Sequence, residues 1–227
     1  MQAPGFAVAA TGLRAEARIA ERSSGVKAVA GGGDEARLAA LLERAILGGA
    51  RGLISFGIAG ALQPELTPGT CIIGTTVLND AQRFEADDAW MGRLLAVLPD
   101  ARRGPIMGSS KAVADVNEKA ALYQATGAVA VDMESHVVGR IAAAHGLPFA
   151  VLRVIADDAG QQLPPAAVGG MKPDGTPDIA AVLKSLASQP SQLPDLIRTA
   201  FAARRAMAEL LRCHRLVGAG LGFVDLG

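Results

Sequence analysis

Aromatic residues, cysteine and histidine are scarce in this sequence, and each shortage argues against a class of protein. Only 4% of the 227 residues are aromatic although 50% are hydrophobic. The apolar surplus is therefore aliphatic, which is typical of helices stacked on a buried sheet. Cys71 and Cys213 have no metal-ligand spacing, and the three histidines form no cluster with them, so a disulfide framework and a zinc site are not expected. We expect no metal and no bound cofactor.

A charge excess of either sign is also missing. Lys plus Arg number 22 and Asp plus Glu number 22, so no global field attracts a polyanion or an acidic membrane surface. The first residues lack the basic start and long apolar stretch of a signal peptide. No segment has the ~18 uncharged apolar residues of a membrane span. We expect a cytoplasmic protein with no nucleic-acid partner.

Short apolar runs that alternate with helical patterns predict an α/β fold. The predicted strands are 6–10, 26–30, 52–56, 70–78, 104–107, 128–131 and 149–156, and the predicted helices are 12–22, 34–47, 87–98, 116–125, 133–145, 179–187 and 193–216. This alternation is the signature of βαβ units. We expect one domain over residues 1–217, built as a three-layer α/β/α sandwich around a mixed, largely parallel sheet.

Two segments have no clear period. Residues 158–178, DAGQQLPPAAVGGMKPDGTPD, are rich in Pro and Gly, and a loop of that length is either a lid or linker or a plain surface excursion. Residues 218–227, GAGLGFVDLG, form a C-terminal tail that is either frayed or an edge strand.

The first helix carries an acid on its apolar side. At about 100° per residue, Glu16 falls among Ala15, Ile19 and Ala20, whereas the arginines gather on the other face. A buried carboxylate is costly, so Glu16 is either paired or functional, unless it sits at the edge of the apolar stripe and reaches water.

A second inward-facing acid follows the strand that ends at Val131. On the helix that opens at Met133, Glu134 lies on the apolar side with Val137 and Ile141. Asp132 is better placed to cap this helix. Glu134 therefore needs another role.

A third acidic position ends the late strand, in PFAVLRVIADDAG, which Arg153 interrupts and Asp157 and Asp158 close. Ligands of open parallel sheets bind outside the carboxyl ends of the strands, so an acid there is a candidate for chemistry, although surface turns also favour Asp. Three acids at one sheet edge therefore indicate a site.

Glycine-rich turns also follow two strands, at 31–33 and at 57–60. Neither turn matches the sequence motif of a dinucleotide-binding site or of a P-loop.

Three segments together carry a family resemblance: ISFGIAGALQPELTPGTCII, AVDMESHVVGRIAA and LPFAVLRVIADDA. In order and spacing they resemble the purine nucleoside phosphorylase and methylthioadenosine/S-adenosylhomocysteine nucleosidase superfamily. Within it, TGLRAEARIA, VDMESH and VIADDA look most like the bacterial hopanoid-associated phosphorylase branch. The resemblance implies an enzyme that cleaves the N-glycosidic bond of a purine nucleoside, in this branch adenosylhopane, and a homo-oligomer.

The same resemblance assigns residue roles. Asp157 would protonate or hydrogen-bond N7 of the purine, and Glu16 would activate water. Glu134 would accept hydrogen bonds from the ribose 2′- and 3′-hydroxyls, with Met133 packed on the sugar. The remaining substrate-binding positions that it implies are Gly57, Ala59, Gly60, Val131 and Asp132.

The sequence departs from the family pattern at two places. Phosphorylases carry an Arg before the glycine turn, where this chain has Ser55. Phosphate would lose a bidentate partner there, although Arg14 or the 31–33 turn could compensate. Hydrolysis is favoured, and phosphorolysis, with phosphate as co-substrate, is the alternative. The purine-stacking aromatic of nucleosidases is also missing, because GSSKAV stands in that region.

Two readings from other classes compete with an enzyme of this kind. A non-catalytic nucleoside-binding module would keep Glu134 but would have no use for Asp157, and a dinucleotide-dependent oxidoreductase would need the missing fingerprint. If the nucleoside bears a long apolar 5′ group, the site must open into an apolar groove. The candidates are the loop 164–171 and the helix with Trp90, Met91, Leu94 and Leu95, for which core packing is the alternative.

Overall fold

The computed structural model describes residues 5–80, 82–170, 172 and 174–224. Its strands are β1 (Phe6–Thr11), β2 (Val26–Ala30), β3 (Ala50–Ala61), β4 (Cys71–Asn79), β5 (Gln82–Glu85), β6 (Arg102–Gly108), β7 (Ala130–Asp132) and β8 (Phe149–Asp157). Its helices are α1 (Arg14–Ala20), α2 (Glu35–Leu47), α3 (Asp88–Val97), α4 (Val116–Thr126), α5 (Ser135–His145), α6 (Pro165–Val168), α7 (Ile179–Ser188) and α8 (Leu193–Val217). Within these ranges, no helix combines the length and apolar character needed to span a bilayer.

Aspartates fix where several helices begin. The side chains of Asp34, Asp87, Asp115 and Asp178 each accept a backbone N–H from the first turn of α2, α3, α4 and α7. These N-caps satisfy donors that have no partner inside the helix. The predicted starts of these helices are therefore correct to within one residue.

The strands form one mixed sheet in the order β2-β1-β3-β7-β6-β4-β5, and β8 pairs with both β3 and β4. β8 runs parallel to β3 and antiparallel to β4, so β3, β7, β6, β4 and β8 close into a ring. The predicted α/β class with a mixed sheet is confirmed, but the sheet is curled rather than open. β5 is missing from the prediction because three of its four residues, QRFE, are exposed and two of them are charged.

Two hydrophobic clusters lie on the two faces of the sheet, as period-two alternation in the strands requires. One cluster joins Val8 and Leu53 to α2 and α5, and the other joins Ala9 and Ile54 to α1, α3 and α8. Parallel strands β1, β3 and β8 therefore end at one edge between the two helical layers. That edge holds the candidate site.

The α3 side chains lie in the core and not along a groove. Trp90 and Leu94 are fully buried, Met91 is nearly so, and Leu95 packs against the same cluster. The interpretation of this helix as an apolar groove is wrong, because its wide aliphatic stripe covers the sheet. The other groove candidate, the loop 164–171, forms the short helix α6, and its residue 171 lies outside the described residues.

The described part of the predicted tail, residues 218–224, is neither an edge strand nor a loose end. A short 3-10 turn, Ala219–Gly222, places Leu221 in the core. The Leu221 carbonyl accepts a hydrogen bond of 2.8 Å from the Trp90 indole, and the Phe223 ring lies 5.0 Å from the Trp90 ring. This turn therefore fastens the end of α8 to α3.

We expect Leu221→Ala to lower the free energy of unfolding by about 2–5 kcal/mol, because it empties a fully buried site. Leu221 has a φ of 50°, in the left-handed region. Alanine has a similar conformational cost there, so the change in the free energy of unfolding reports the loss of side-chain burial. Urea unfolding measures the loss. Val224, which is 48% exposed, provides the control: an equal loss for Val224→Ala would show that the tail contributes through something other than this burial.

Candidate active site

One cavity lies at the shared strand edge, with a volume of about 220 Å³. It brings together the three acids singled out in the sequence, Glu16, Glu134 and Asp157, all of them buried. The other residues on its wall are Gly12, Leu13, Ile58, Ala59, Gly60, Lys111, Ala112, Val113, Val131, Asp132, Met133, Ala156 and Leu163. The wall is thus largely apolar with carboxylates set into it, which is the usual composition of a small-molecule site.

Glu16 faces inward from the first turn of α1 and is only 1% exposed. Its Oε2 accepts the Leu13 N–H at 2.7 Å, and its Oε1 accepts the Ile58 N–H at 2.8 Å. Burial raises the pKa of Glu16, against the opposing charge of Arg153 and these backbone donors. The alternative in which Glu16 reaches water from the edge of the stripe is therefore excluded.

Asp132 is the last residue of β7, and Glu134 lies in the turn that leads from β7 to α5. Asp132 Oδ1 accepts the backbone N–H groups of Glu134 and Ser135, at 3.0 and 2.8 Å, and so caps α5 as expected. Glu134 precedes α5 rather than lying on its apolar face. Glu134 faces inward because of the turn and not because of the helical period. The predicted inward direction is therefore correct, but the helical position from which it was predicted is not.

Burial raises the pKa of Glu134 to about 7. Arg153 opposes this rise, whereas the charges of Asp132 and Glu16 add to it. A carboxyl group with such a pKa changes its charge near neutral pH. Glu134 is therefore poised between a hydrogen-bond donor and a purely accepting carboxylate.

Arg153 supplies the positive charge behind these acids. It lies in β8 with no exposed surface. Its Nε is 2.8 Å from Asp132 Oδ2, and its Nη2 is 3.2 Å from Glu134 Oε2. Nη2 also donates to Ser55 Oγ at 2.5 Å, and Nη1 to the Ile58 carbonyl at 3.2 Å. Each nitrogen of the guanidinium thus lies within 3.2 Å of an oxygen of the protein, although Nε contacts Asp132 as an ion pair without hydrogen-bond geometry.

Asp157 ends β8 and pairs with a lysine that the sequence analysis did not single out. Lys119 Nζ, on α4, donates to Asp157 Oδ2 at 2.5 Å. Burial raises the pKa of Asp157, while Lys119 opposes the rise. The sequence does not predict this pair, because the two residues are 38 positions apart and polar and apolar residues are mixed around α4.

A glycine makes room for each of the three acids. A Cβ on Gly12 would lie 2.7 Å from a Glu134 oxygen, one on Gly57 2.6 Å from a Glu16 oxygen, and one on Gly60 3.0 Å from an Asp157 oxygen. Gly60 lines the cavity together with the predicted Ala59, Val131, Asp132 and Met133. Gly57 does not: it lies behind Glu16 and Arg153.

The two predicted substitutes for a phosphate-binding arginine lie away from the cavity. Arg14 is exposed and lines a separate surface depression with Asp174. The 31–33 turn leads into α2, and Gly31 packs against Leu38. Among the described residues on the cavity wall, Lys111 is the one cation. No group of His, Cys, Asp and Glu in the described part of the chain is arranged to hold a metal ion.

The arrangement suits proton transfer and the stabilisation of positive charge. Two acids with raised pKa values, Glu16 and Asp157, keep their protons to higher pH than exposed carboxyl groups do, which suits them to proton transfer. The surrounding carboxylates favour a ligand that becomes cationic during its reaction. An added anion would meet their repulsion.

Comparison with known proteins gives the family. The family profile described as the Phosphorylase superfamily matches residues 23–188, and the chain belongs to this superfamily. No curated protein matches the sequence at a significant level.

Solved structures show the same fold at low sequence identity. The 5′-methylthioadenosine/S-adenosylhomocysteine nucleosidase of Helicobacter pylori has a TM-score of 0.66 and 16% identity, over 93% of this chain and 98% of that one. The nucleosidase of Streptococcus pneumoniae gives 0.63 and 15%, over 93% and 99%. A futalosine hydrolase mutant from Helicobacter pylori gives 0.63 and 16%, over 82% and 99%.

The raised pKa of Glu134 predicts how stability depends on pH. The folded chain holds this proton up to about pH 7, whereas the unfolded chain releases it near the ordinary glutamate pKa of 4.5. The folded state thus binds more protons in this window, so its stability falls as pH rises through it.

We expect Glu134→Gln to remove part of that fall, so that the variant loses less stability than the wild type between pH 5 and pH 8. Urea unfolding at both pH values measures the difference. Glu65→Gln, at an exposed carboxyl group, is the control and should follow the wild type. Parallel curves for Glu134→Gln and the wild type would mean that Glu134 titrates at its ordinary value.

Proposed function

We propose that this protein cleaves the N-glycosidic bond of a purine nucleoside by hydrolysis and releases adenine. The observation that carries the proposal is the convergence of Glu16, Glu134 and Asp157 on one buried cavity. Membership of the phosphorylase superfamily supports glycosidic cleavage. The solved nucleosidases of this fold are complexed with nucleoside analogues, which supports a nucleoside as the ligand here.

The reaction places a proton on the leaving base and a positive charge on the sugar. In the proposed reaction, Asp157 donates its proton to N7, so that the base leaves neutral and the electron pair of the bond stays on the purine. The sugar becomes oxocarbenium-like, and nearby carboxylates lower the free energy of that state. Glu134 holds the ribose hydroxyls, with Met133 against the sugar, and Glu16 takes a proton from the water that attacks the anomeric carbon.

The charges around the cavity favour water over phosphate as the nucleophile. A phosphate dianion would lie among several carboxylates, and desolvating it without a bidentate cation is costly. Arg153 is already paired with Asp132 and Glu134. Ser55 occupies the position of the family arginine and is hydrogen-bonded to Arg153 and Ser135. Phosphorolysis remains the alternative reaction of the same site.

We expect purified protein to release adenine from adenosine or 5′-methylthioadenosine in the absence of phosphate, and to place ¹⁸O from labelled water on the anomeric carbon of the sugar. Asp157→Asn should lower kcat at least ~10²-fold, because the amide keeps the shape of the acid without its proton. Chromatography of the base and sugar products measures the base release and the loss of kcat, and the mass of the sugar product shows the label.

Each departure from this result identifies another reading. A sugar 1-phosphate that forms only with phosphate present makes the protein a phosphorylase. Binding of the nucleoside by calorimetry without base release makes it a binding module. An Asp157→Asn variant that keeps its kcat removes Asp157 from the chemistry.

The proposed substrate bears a long apolar 5′ group, as adenosylhopane does. Such a tail cannot share the cavity with the nucleoside, so it must leave along the wall. Leu163 lies both on the cavity wall and in a neighbouring depression that includes Pro164, Pro165 and Val168. Large apolar side chains are also exposed on α7 and at the start of α8: Ile179, Leu183, Leu193, Ile197 and Phe201. Leu163 and its depression offer the start of an apolar path, and we propose that these side chains continue it.

We expect kcat/KM to rise steeply across 5′-alkylated adenosines of increasing chain length, because each buried Å² of hydrocarbon gains roughly 25 cal/mol. Leu163→Ser should flatten the series. Leu47→Ser, at an exposed leucine of α2, should leave the slope unchanged. A flat or falling series with the wild type would end the adenosylhopane assignment and leave the nucleosidase one standing.

A cytoplasmic location and a homo-oligomeric state complete the proposal. The composition implies the location, and the family resemblance implies the oligomeric state. Light scattering at micromolar concentration measures the oligomeric state.

A further inference from the structure

Lys119 is a buried charge that the proposed reaction has not yet used. Its side chain has no exposed surface. Its Nζ lies 2.5 Å from Asp157 Oδ2, 3.0 Å from the Asp158 carbonyl oxygen and 2.9 Å from the Gln161 carbonyl oxygen. An ammonium group has three N–H donors and no acceptor. Three acceptors therefore match the protonated lysine, whereas a neutral amine would turn a lone pair toward one of them.

The pair fixes which oxygen of Asp157 can meet a ligand. Lys119 occupies Oδ2, and within the described ranges no group donates to Oδ1. Asp157 itself lies on the cavity wall. Oδ1 is thus the Asp157 oxygen that is left without a donor from the described protein groups, and the lysine that occupies Oδ2 comes from α4.

We propose that Lys119 is the positioning residue of the acid Asp157: it holds one carboxyl oxygen, leaves the other for N7 of the base, and neutralises the carboxylate that remains once the proton has left. This inference rests on the proposed function. The proton passes from Asp157 to N7 while the glycosidic electron pair moves onto the purine. Water then adds to the sugar and gives its proton to Glu16. After the products leave, Glu16 releases that proton to solvent and Asp157 takes one up from solvent, so that both groups return to their starting states.

The charges that face Asp157 come from several elements. Lys119 of α4 favours its ionised form, and the adjacent Asp158 favours its neutral form. Glu16 of α1, Glu134 and Asp132 before α5, and Lys111 after β6 lie around the same cavity. Burial has the largest effect on the pKa of Asp157. Removing the lysine charge should therefore raise that pKa further.

Lys119 also has a structural task, which the test must separate from the proposed one. By holding the carbonyls of Asp158 and Gln161 it fastens the segment that follows β8. The Leu163 N–H of this segment donates to the Ala114 carbonyl at 3.0 Å. Loss of Lys119 could loosen this wall and slow the reaction without any effect on the protonation of Asp157.

The first test follows the protonation of Asp157 itself, without turnover. Infrared difference titration of the ligand-free protein identifies the Asp157 carboxyl band as the one that Asp157→Asn removes. In Lys119→Met the midpoint of this band should rise by about 1–3 pH units, as expected on removal of a nearby opposite charge. Lys119→Gln, which keeps N–H donors and loses the charge, should show the same direction. Lys184→Met, at an exposed lysine of α7, is the control and should not move the band.

The second test uses catalysis. The high-pH limb of kcat/KM should move upward in Lys119→Met, because the acid stays protonated to higher pH, while kcat at the optimum falls roughly tenfold or more. In the Asp157→Asn background the same substitution should change kcat less than twofold. A thermal melt of each variant confirms that it is folded.

The outcomes separate the two proposals. If the Asp157 band and the high-pH limb do not move in folded Lys119→Met and Lys119→Gln, or if the rate losses of Lys119→Met and Asp157→Asn multiply, Lys119 is only structural and the inference is wrong. If the band moves in the lysine variants but the wild type releases no base, the pairing stands and the proposed function fails.

Discussion

The buried guanidinium of Arg153 is the interaction on which the site depends. Carboxylates taken out of water are costly unless a partner compensates them, and the groups around Arg153 include Asp132, Glu134 and Glu16. Because Arg153 belongs to β8, the central strand shared by both halves of the sheet ring, this compensation is built into the backbone of the fold. Asp132 in turn caps α5, so the same charge balance also fixes where a helix begins.

A second buried ion pair joins Asp157, on the cavity wall, to Lys119. Arg153 pairs with Asp132 and Glu134, and Glu134 is the acid proposed to bind the sugar, while Lys119 pairs with the acid proposed to protonate the base. A guanidinium keeps its proton under all ordinary conditions, and an ammonium is a compact point charge that responds more readily to burial. The chemical difference between the two cations matches the different roles proposed for their partners.

Local patterns were enough to predict much of the fold and the direction of the acids. The aspartate caps and strand periods located the major helices and strands, and the helical period correctly placed Glu16 inward. The inward Glu134 followed from an incorrect helix start. The sequence shows Arg153 as a charged residue within an apolar strand. Its partners lie in β3, at the end of β7 and in the turn before α5, and no local pattern predicts contacts between segments so distant in sequence. Lys119 could not be found at all, because its partner lies on another element and α4 has no clean apolar face.

The glycines beside the acids have a consequence for how the site could be altered. Gly12 and Gly60 lack a left-handed backbone, so an alanine there meets mainly the neighbouring carboxyl group, at 2.7 Å for Glu134 and 3.0 Å for Asp157. One methyl group at either position would displace a single acid, while the number and type of ionisable groups in the cavity would stay the same. The reach of each carboxylate into the cavity can thus be changed separately from its charge, which gives two independent steric controls on the shape of the ligand that the cavity accepts.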